Sequence, residues 1–194
     1  MRLAGERMQQ LIHDLLAYSR TKTSDRQFEV VDLTTVLTDI KEDLKDEFKQ
    51  NNVIIETDDS CGIKVKVIPF QFRQLLYNLI SNSIKFAKSN ETPVVKLFCK
   101  ITEASELNSE KLIPNMTYYH LSISDNGIGF KSDYKEKIFE IFQRLHGREE
   151  YSGTGIGLAI VKKIVDNHGG IITAEGELNV GATFNIYLPL TQIN

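Results

Sequence analysis

Apolar residues recur with helical spacing in some stretches of the chain and alternate with polar residues in others. The helical spacing predicts helices over residues 1–20, 33–49, 69–88 and 155–168, with a short helix near 134–142. The alternating stretches predict strands over residues 28–31, 53–57, 63–68, 94–101, 118–124, 171–177 and 182–188. Helices packed on one face of a mixed sheet make an α/β (α+β) two-layer sandwich, which is the fold class we expect.

The first predicted helix carries an apolar seam that it cannot bury by itself. The seam consists of Met8, Leu11, Ile12, Leu15 and Leu16. A single helix of this length is marginal in water, so this one must dock on the domain or pair with other helices. Residues 21–27 are polar and are interpreted as a linker, which places a domain boundary between residues 27 and 28.

Three polar residues line one side of the helix predicted over residues 69–88. Asn78, Asn82 and Lys85 are spaced i, i+4 and i+7, so they lie within roughly 60° of one another beside the apolar face. Asparagine is a poor helix former, and a solvated face more usually carries Glu, Lys and Arg. An amide oxygen suits a hard cation such as magnesium, and a lysine suits phosphate. Taken alone, the stripe is better explained as the polar edge of a core helix.

Three glycine-rich clusters follow this helix along the chain. Residues 125–130 end a predicted strand, residues 153–158 open a predicted helix, and residues 181–183 lie in the last strand. Each cluster alone is more often a turn than a nucleotide site. The second cluster places backbone amide groups at a helix start, where the partial positive charge favours phosphate.

The asparagine helix and the three glycine clusters, in this order, resemble the ATP-binding domain of two-component sensor histidine kinases. That domain belongs to the wider group of Bergerat-type ATPases, which includes DNA gyrase. The resemblance covers about residues 28–190. It implies a mixed sheet of about five main strands with three helices on one face, in a catalytic domain over residues 28–194. Residues 1–27 would be the C-terminal part of the helical dimerisation and phosphotransfer region plus the linker.

The resemblance also implies ATP and Mg²⁺ as cofactors, and a set of residues that bind them. Asp125 would accept a hydrogen bond from the adenine amino group, Asn82 would bind the magnesium ion, and Lys85 would contact phosphate. Phe86 stands where relatives often carry tyrosine, so no hydroxyl contact is expected there. The implied ATP-binding residues are Asn78, Asn82, Lys85, Phe86, Asp125, Gly127, Gly129, Phe139, Phe142, Arg144, Gly153, Thr154, Gly155, Ile156, Gly157, Leu158 and Thr183.

The segment between the first two glycine clusters would be the lid over ATP. Residues 138–144 resemble the family's phenylalanine box, although Phe139 and Phe142 would also serve simply to anchor the lid in a core. Arg144 matches the basic residue that the family directs at the γ-phosphate, where charge builds up during transfer. The resemblance therefore makes Arg144 and Lys85 the catalytic candidates. Without it, Arg144 is an ordinary solvated arginine.

One substitution bears on the type of reaction. In hydrolysing relatives such as DNA gyrase, a glutamate four residues before the magnesium-binding asparagine activates water as a general base. Here that position is Asn78, which cannot take a proton at neutral pH. The sequence therefore favours transfer of the γ-phosphate to a histidine supplied from elsewhere. The alternatives are a Bergerat-type ATPase, which Asn78 disfavours, and a module that binds ATP without transferring it.

The resemblance further implies a histidine acceptor on a helical region and relay of the phosphate to an aspartate on a response regulator receiver domain. His13 is followed by Asp14 but lacks the basic residue and the proline of the family's acceptor motif. We interpret His13 as a helix-packing residue and expect the acceptor upstream of this chain. Two helices from each subunit form a four-helix bundle in full-length members, so a homodimer through that region is expected.

Composition bears on domain number, nucleic-acid binding, membrane insertion and the state of the cysteines. The 194 residues are 41% hydrophobic and 25% charged, which suits one self-sufficient core. A net charge of −3 gives no general basic surface for nucleic acid. No apolar run predicts a membrane span, so we expect a cytoplasmic chain and leave open a tether in the full-length protein. Cys61 and Cys99 lack a CxxC pattern, and buried thiols are expected rather than a disulfide or a metal site.

Overall fold

The computed structural model describes Ile12 and residues 27–106, 113–143, 145 and 154–190. The helices of this part of the chain are α1 (Leu33–Asp43), α2 (Lys45–Asn51), α3 (Pro69–Lys85) and α4 (Gly157–Asn167). The strands are β1 (Glu29–Val31), β2 (Ile54–Thr57), β3 (Val65–Val67), β4 (Val94–Glu103), β5 (Thr117–Asp125), β6 (Ile171–Glu177) and β7 (Gly181–Pro189). Ile12 is helical, while the rest of the predicted N-terminal helix, its linker and His13 lie outside the described residues.

A mixed five-stranded sheet forms the centre of the fold. Its strand order is β2-β4-β5-β7-β6, with β2 parallel to β4 and every other neighbouring pair antiparallel. Strands β1 and β3 form a separate two-stranded antiparallel ladder. The predicted two-layer α/β class with about five main strands is therefore confirmed.

The helices cover one face of this sheet. Along β5, Leu121 and Ile123 are buried in the core, whereas Ser122 between them is half-exposed. Such alternation is expected for a strand with helices on one side only, because successive side chains point to opposite faces. The apolar faces of α3 and α4 supply the helical half of the core, with Leu76, Leu79, Ile160 and Ile164 at 0–2% exposure.

Two features explain where α3 and α1 begin. Pro69 occupies the first turn of α3, where its missing N–H has no helical partner to lose. Asp32 precedes α1, and its side chain accepts a hydrogen bond of 2.9 Å from the backbone N–H of Thr34. None of the helices in the described part of the chain is long and apolar enough to span a membrane.

The single helix predicted over residues 33–49 is two helices in the structure. The chain leaves helical geometry at Leu44, which is 3% exposed and lies in the core. Helix α2 then follows without any fully buried residue. The apolar spacing continues across Leu44 as far as Phe48, so the pattern contained no sign of the break. The described part of the fold therefore has four helices rather than the three that were expected.

The structure has no α-helix at described residues 134–142, where a short helix was predicted. Two short 3₁₀ turns, Ser132–Tyr134 and Lys137–Phe139, take its place. Phe142 then adopts a left-handed backbone with φ 66°, which ends any helical path. Strand β4, predicted to end at residue 101, continues to Glu103, and β5, predicted to begin at residue 118, begins at Thr117.

The expectation of two free thiols is wrong, because Cys61 and Cys99 form a disulfide. Cys61 lies in the 3₁₀ turn Asp59–Gly62, and that turn packs over β4, where Cys99 lies. Their Cα atoms are 4.8 Å apart, within the range that a disulfide needs. The bond links the segment before α3 to the second strand of the sheet.

A buried histidine connects α3 and α4 at the ends of these helices that are remote from the glycine clusters. His168 follows α4, and its Nε2 accepts a hydrogen bond of 2.9 Å from the backbone N–H of Ile68, just before α3. Its Nδ1 donates to the carbonyl oxygen of Ile164 at 2.7 Å. Both ring nitrogens are thus used by the neutral form, and burial lowers the pKa of His168. The ring therefore fixes α4 against the start of α3.

Candidate functional site

The asparagine stripe of α3 faces the beginning of α4. A Cβ atom built on Gly157 would lie 3.5 Å from Oδ1 of Asn78 and 4.0 Å from Nδ2 of Asn82. Nδ2 of Asn78 is buried and has no hydrogen-bond partner among the described residues. A buried amide without a partner is unfavourable, so this group suits a site that a polar ligand completes. The two asparagines therefore lie on the side of α3 that faces the start of α4.

Lys85 and Phe86 end the same helix. The Nζ atom of Lys85 lies 4.5 Å from the centre of the Phe86 ring. The backbone N–H of Phe86 donates to the carbonyl oxygen of Asn82 at 2.9 Å, and the Phe86 carbonyl accepts from the N–H of Ile128 at 2.9 Å. Phe86 therefore joins the asparagine helix to the first glycine cluster through its backbone.

Asp125 is the last residue of β5, and its carboxylate is held by three hydrogen bonds. Oδ1 accepts from the backbone N–H groups of Gly127 at 2.9 Å and Ala182 at 3.2 Å. Oδ2 accepts from the hydroxyl of Ser83 on α3 at 3.2 Å. Burial raises the pKa of Asp125, while these three hydrogen bonds lower it in part. The carboxylate is consequently fixed between the end of the sheet and α3.

The glycines around Asp125 are required by close backbone approaches. A Cβ on Gly127 would lie 2.6 Å from the carbonyl oxygen of Phe86. Gly129 has φ 62°, and a Cβ there would overlap the carbonyl oxygen of Glu177. A Cβ on Gly181 would likewise overlap the carbonyl oxygen of Asp125. The first and third glycine clusters thus pack directly against each other, which only glycine permits.

Thr183 does not share a sheet face with Asp125. In the register of β5 and β7, Asp125 pairs with Ala182, whereas Thr183 pairs with Ser124. Directly paired residues project to the same face and successive residues to opposite faces. Ala182 therefore lies on the helix side with Asp125, and the Thr183 side chain projects to the other side. The structure does not bring the Thr183 hydroxyl to the Asp125 carboxylate.

The second glycine cluster meets the lid at the start of α4. Gly155 has φ 75°, and a Cβ there would lie 2.9 Å from the carbonyl oxygen of Gln143. The N–H of Phe142 donates to the Gly155 carbonyl at 3.0 Å. Thr154 accepts a hydrogen bond of 3.4 Å from the N–H of Ile156, a fully buried residue. Gly157 and Leu158 then begin α4, whose first N–H groups have no partners within the helix.

The two phenylalanines of the lid differ in their surroundings. Phe139 is half-buried and makes an edge contact with Phe184, with ring centres 6.5 Å apart. The Phe142 side chain is 59% exposed. Phe139 therefore anchors this segment in the core, and the backbone of Phe142 contacts the second glycine cluster at Gly155. Arg144 and Gly153 lie outside the described residues.

Two residues near the site were not among the predictions. Ser83 is 4% exposed. The sequence signal that could have identified it is a serine at a position of α3 that the apolar pattern predicts to be buried. Asn126 has a structural role, since its Oδ1 accepts from the N–H of Val94 at 2.8 Å and its Nδ2 donates to the carbonyl of Thr92 at 2.9 Å. Asn126 holds the loop before β4 against the first glycine cluster.

The donor set is compatible with magnesium bound together with a nucleotide. Among the described residues there is no cluster of three His, Cys, Asp or Glu side chains that would hold a metal ion by itself. Magnesium usually retains water and takes few protein ligands alongside substrate phosphates. The amide oxygen of Asn82 is a ligand of that kind.

Comparison with known proteins places these features in a wider context. The family model described as "Histidine kinase-, DNA gyrase B-, and HSP90-like ATPase" matches residues 68–192. Cyanobacterial phytochrome A of Nostoc sp. is 38% identical over 183 residues, which are 94% of this chain and 22% of the phytochrome. The chain thus spans about a fifth of the length of that relative.

Solved structures share the fold along nearly the whole chain. Full-length ShkA in complex with AMPPNP gives a TM-score of 0.73 at 24% identity, covering 98% of this chain and 38% of ShkA. Histidine kinase ThkA in complex with response regulator protein TrrA gives a TM-score of 0.67 at 22% identity, covering 98% of this chain and 49% of the ThkA chain. At these identities the likeness establishes the fold alone.

Proposed function

The chain belongs to the family of histidine kinase-, DNA gyrase B- and HSP90-like ATPases, and from this we propose that it is the catalytic ATP-binding part of a sensor histidine kinase. The observation that carries the proposal is the convergence of three elements. Asn78 and Asn82 face Gly157 at the start of α4, while Asp125 is hydrogen-bonded to the same helix α3 through Ser83. One nucleotide would contact all three.

The base would bind at the end of β5. Two backbone N–H groups hold Oδ1 of the Asp125 carboxylate in place. We propose that this carboxylate accepts a hydrogen bond from the adenine amino group. The amino group of adenine donates hydrogen bonds, and a buried carboxylate is a strong acceptor for it. Burial raises the pKa of Asp125, so binding of the amino group would weaken as the pH falls and the carboxyl takes up a proton.

The triphosphate would bind between the asparagine stripe and the start of α4. The backbone from Thr154 to Leu158 leads into the positive end of that helix, which favours phosphate oxygens. Asn82 would hold Mg²⁺ by its amide oxygen, and Lys85 would contact phosphate as a point charge. Magnesium, when bound there, would offset negative charge that develops on the phosphate oxygens.

Transfer to a side chain fits the site better than hydrolysis. Asn78 lies beside Gly157, where the phosphates would bind, and its amide cannot accept a proton from water at neutral pH. We assign the role of γ-phosphate contact to Arg144, which stays a prediction because the residue lies outside the described part of the chain. The nucleophile would be a histidine of a helical region, with a homodimer formed through that region.

Relay to a response regulator completes the proposal. ThkA, which shares the fold, has been solved in complex with the response regulator protein TrrA. By analogy we propose a receiver domain as the partner that takes the phosphate, and a cytoplasmic location for the catalytic chain. The identity of the acceptor histidine stays a prediction, because His13 lies outside the described residues.

The proposal is tested with a separate acceptor. The chain is mixed with a separately purified helical dimerisation region that carries an acceptor histidine, and with ATP labelled at the γ-phosphate and magnesium. We expect the label to appear on histidine as an acid-labile phosphoamidate. Asn82→Ala should abolish magnesium-dependent ATP binding and labelling. Ser81→Ala is the matched control, because among the described residues the Ser81 hydroxyl bonds only the Asn78 carbonyl, at 3.3 Å, within the helix.

The other two functions give different results in the same assay. Rapid release of phosphate by the chain alone would favour an ATPase. ATP binding with neither release nor labelling would favour a module that binds ATP without transferring it. Either result would contradict the kinase assignment.

A further inference from the structure

The Ser83 hydroxyl is the side-chain group of α3 that contacts the Asp125 carboxylate. It lies 3.2 Å from Oδ2 of Asp125 and 3.1 Å from the carbonyl oxygen of Leu79. A serine hydroxyl has one hydrogen, so it donates to one of these acceptors at a time. Hydrogen bonds to an ionised carboxylate are roughly twice as strong as those between neutral groups. The hydrogen therefore goes to Asp125 when that residue is ionised.

The two carboxylate oxygens of Asp125 have different neighbours. Oδ1 already accepts from two backbone N–H groups, of Gly127 and Ala182. Oδ2 accepts only from Ser83 in the described part of the chain, and a carboxylate oxygen has room for a second donor. Oδ2 is consequently the oxygen that a ligand amino group would reach.

Thr183, which the family resemblance placed among the ATP-binding residues, does not supply a hydroxyl to Asp125. Thr183 projects to the sheet face away from Asp125, and the residue paired with Asp125 is Ala182, which offers a methyl group. Ser83 is 4% exposed, so water does not substitute readily for its hydroxyl. Among the described residues, Ser83 is therefore the side chain of α3 that is hydrogen-bonded to the Asp125 carboxylate.

We propose that Ser83 is a positioning residue for base selection, which orients Oδ2 of Asp125 as the acceptor for the exocyclic amino group of an aminopurine nucleotide. The inference rests on the proposed function, since it takes Asp125 to be the group that binds the base. To that function the inference adds a role for Ser83, whose hydroxyl orients the Asp125 carboxylate to select a base with an amino group.

The charge state of Asp125 supports this role. The causes that act on its pKa are burial, which raises it, and the hydrogen bonds from Gly127, Ala182 and Ser83, which lower it. No charged side chain of the described residues is among these causes. Removal of the Ser83 hydroxyl would therefore raise the pKa of Asp125 further, so that the acceptor form is lost at a higher pH.

The test compares two nucleotides that differ in one amino group. Wild type, Ser83→Ala and the matched control Ser81→Ala are titrated with Mg–ATP and with Mg–purine riboside triphosphate, which lacks the 6-amino group. Loss of one hydrogen bond to a charged group predicts an affinity for ATP about tenfold weaker in Ser83→Ala. Binding of the purine nucleotide should change less than about twofold, and Ser81→Ala should resemble wild type with both.

A pH series provides a second readout that a purely structural role would not change. The pH at which ATP affinity falls to half should be higher in Ser83→Ala than in wild type and Ser81→Ala. Thermal unfolding of each variant verifies that the domain is folded at the assay temperature.

The outcomes separate the inference from the proposed function. If wild type prefers ATP and Ser83→Ala keeps both the preference and the pH midpoint, Ser83 has no positioning role while the nucleotide site stands. Equal weakening with both nucleotides would also overturn the inference, because it indicates general damage. If wild type binds neither nucleotide, the proposed function fails as well.

Discussion

Gly129→Ala tests whether the first and third glycine clusters are held together as the structure shows. Gly129 has φ 62°, and a Cβ there would overlap the Glu177 carbonyl oxygen and lie 2.7 Å from that of Gly181. Both oxygens belong to the backbone of the hairpin between β6 and β7, where Glu177 pairs with Gly181. A further hydrogen bond of 2.8 Å joins the N–H of Asn179 to the carbonyl of Ile128. Because the new methyl group would overlap backbone atoms, no side-chain rotation can relieve the overlap.

The magnitude follows from two contributions. The left-handed backbone costs an alanine about 1–2 kcal/mol relative to glycine. Displacement of packed backbone by an added methyl group costs about 1–3 kcal/mol more. Together they predict a loss of about 3 kcal/mol in the free energy of unfolding. For a chain of 194 residues this corresponds to a fall in Tm of about 6–12 °C.

Urea unfolding followed by circular dichroism measures this loss, with the slope m verified as unchanged. Gly62→Ala is the matched control, because a Cβ on Gly62 meets nothing within 4 Å. Its stability should stay within about 0.5 kcal/mol of wild type. ATP affinity should also fall in Gly129→Ala, since the displaced cluster carries Asp125. A stability loss no larger than that of Gly62→Ala would refute the packing of the two clusters.

Three further predictions concern the reaction, the pH dependence and the disulfide. Asn78→Glu should release phosphate from ATP at least about tenfold faster than Asn78→Gln, because only the glutamate can serve as a general base; equal rates would place residue 78 away from the γ-phosphate. Burial lowers the pKa of His168 in the folded chain, so below about pH 6.5 the imidazole is protonated more readily in the unfolded chain than in the folded one. The free energy of unfolding should therefore fall by at most about 1.4 kcal/mol for each pH unit below that value. Urea unfolding between pH 7.5 and 5 should therefore show a flatter dependence in His168→Gln, and parallel curves would contradict the buried neutral histidine. Reduction of the bond between Cys61 and Cys99, which are 38 residues apart, should lower the free energy of unfolding by about 3–4 kcal/mol, whereas a chain with both cysteines changed to alanine should not respond to the reductant.

The parts of the fold that depend on local spacing were predictable from the sequence. Pro69 and the apolar spacing after it defined α3, and Asp32 marked the start of α1. The asparagine stripe at Asn78 and Asn82 indicated a polar surface, because helical spacing alone determines which residues share a face.

Features that depend on distant partners were not predictable. Thr183 and Ala182 differ by one position, and only the pairing with β5 determines which of them shares a face with Asp125. The disulfide required knowing that the turn with Cys61 packs against the strand with Cys99. In each case the deciding contact joins residues far apart in the sequence, where periodicity carries no information.

The lid illustrates a third kind of limit. The sequence suggested a short helix near residues 134–142, but the backbone of Phe142 is left-handed and its N–H bonds the carbonyl of Gly155. That interaction with the second glycine cluster replaces helical hydrogen bonding. Local propensity at the lid is thus overridden by packing against the start of α4.

The central claim is that one nucleotide joins the end of β5, the asparagine face of α3 and the start of α4. A crystal structure of the chain with magnesium and a non-hydrolysable ATP analogue tests it most directly. We predict the adenine amino group within hydrogen-bond distance of Asp125, the phosphates at the amides of Gly155 and Gly157, and the magnesium ion at the Asn82 amide oxygen. A nucleotide bound at another surface, or one that reaches only one of these groups, would contradict the account.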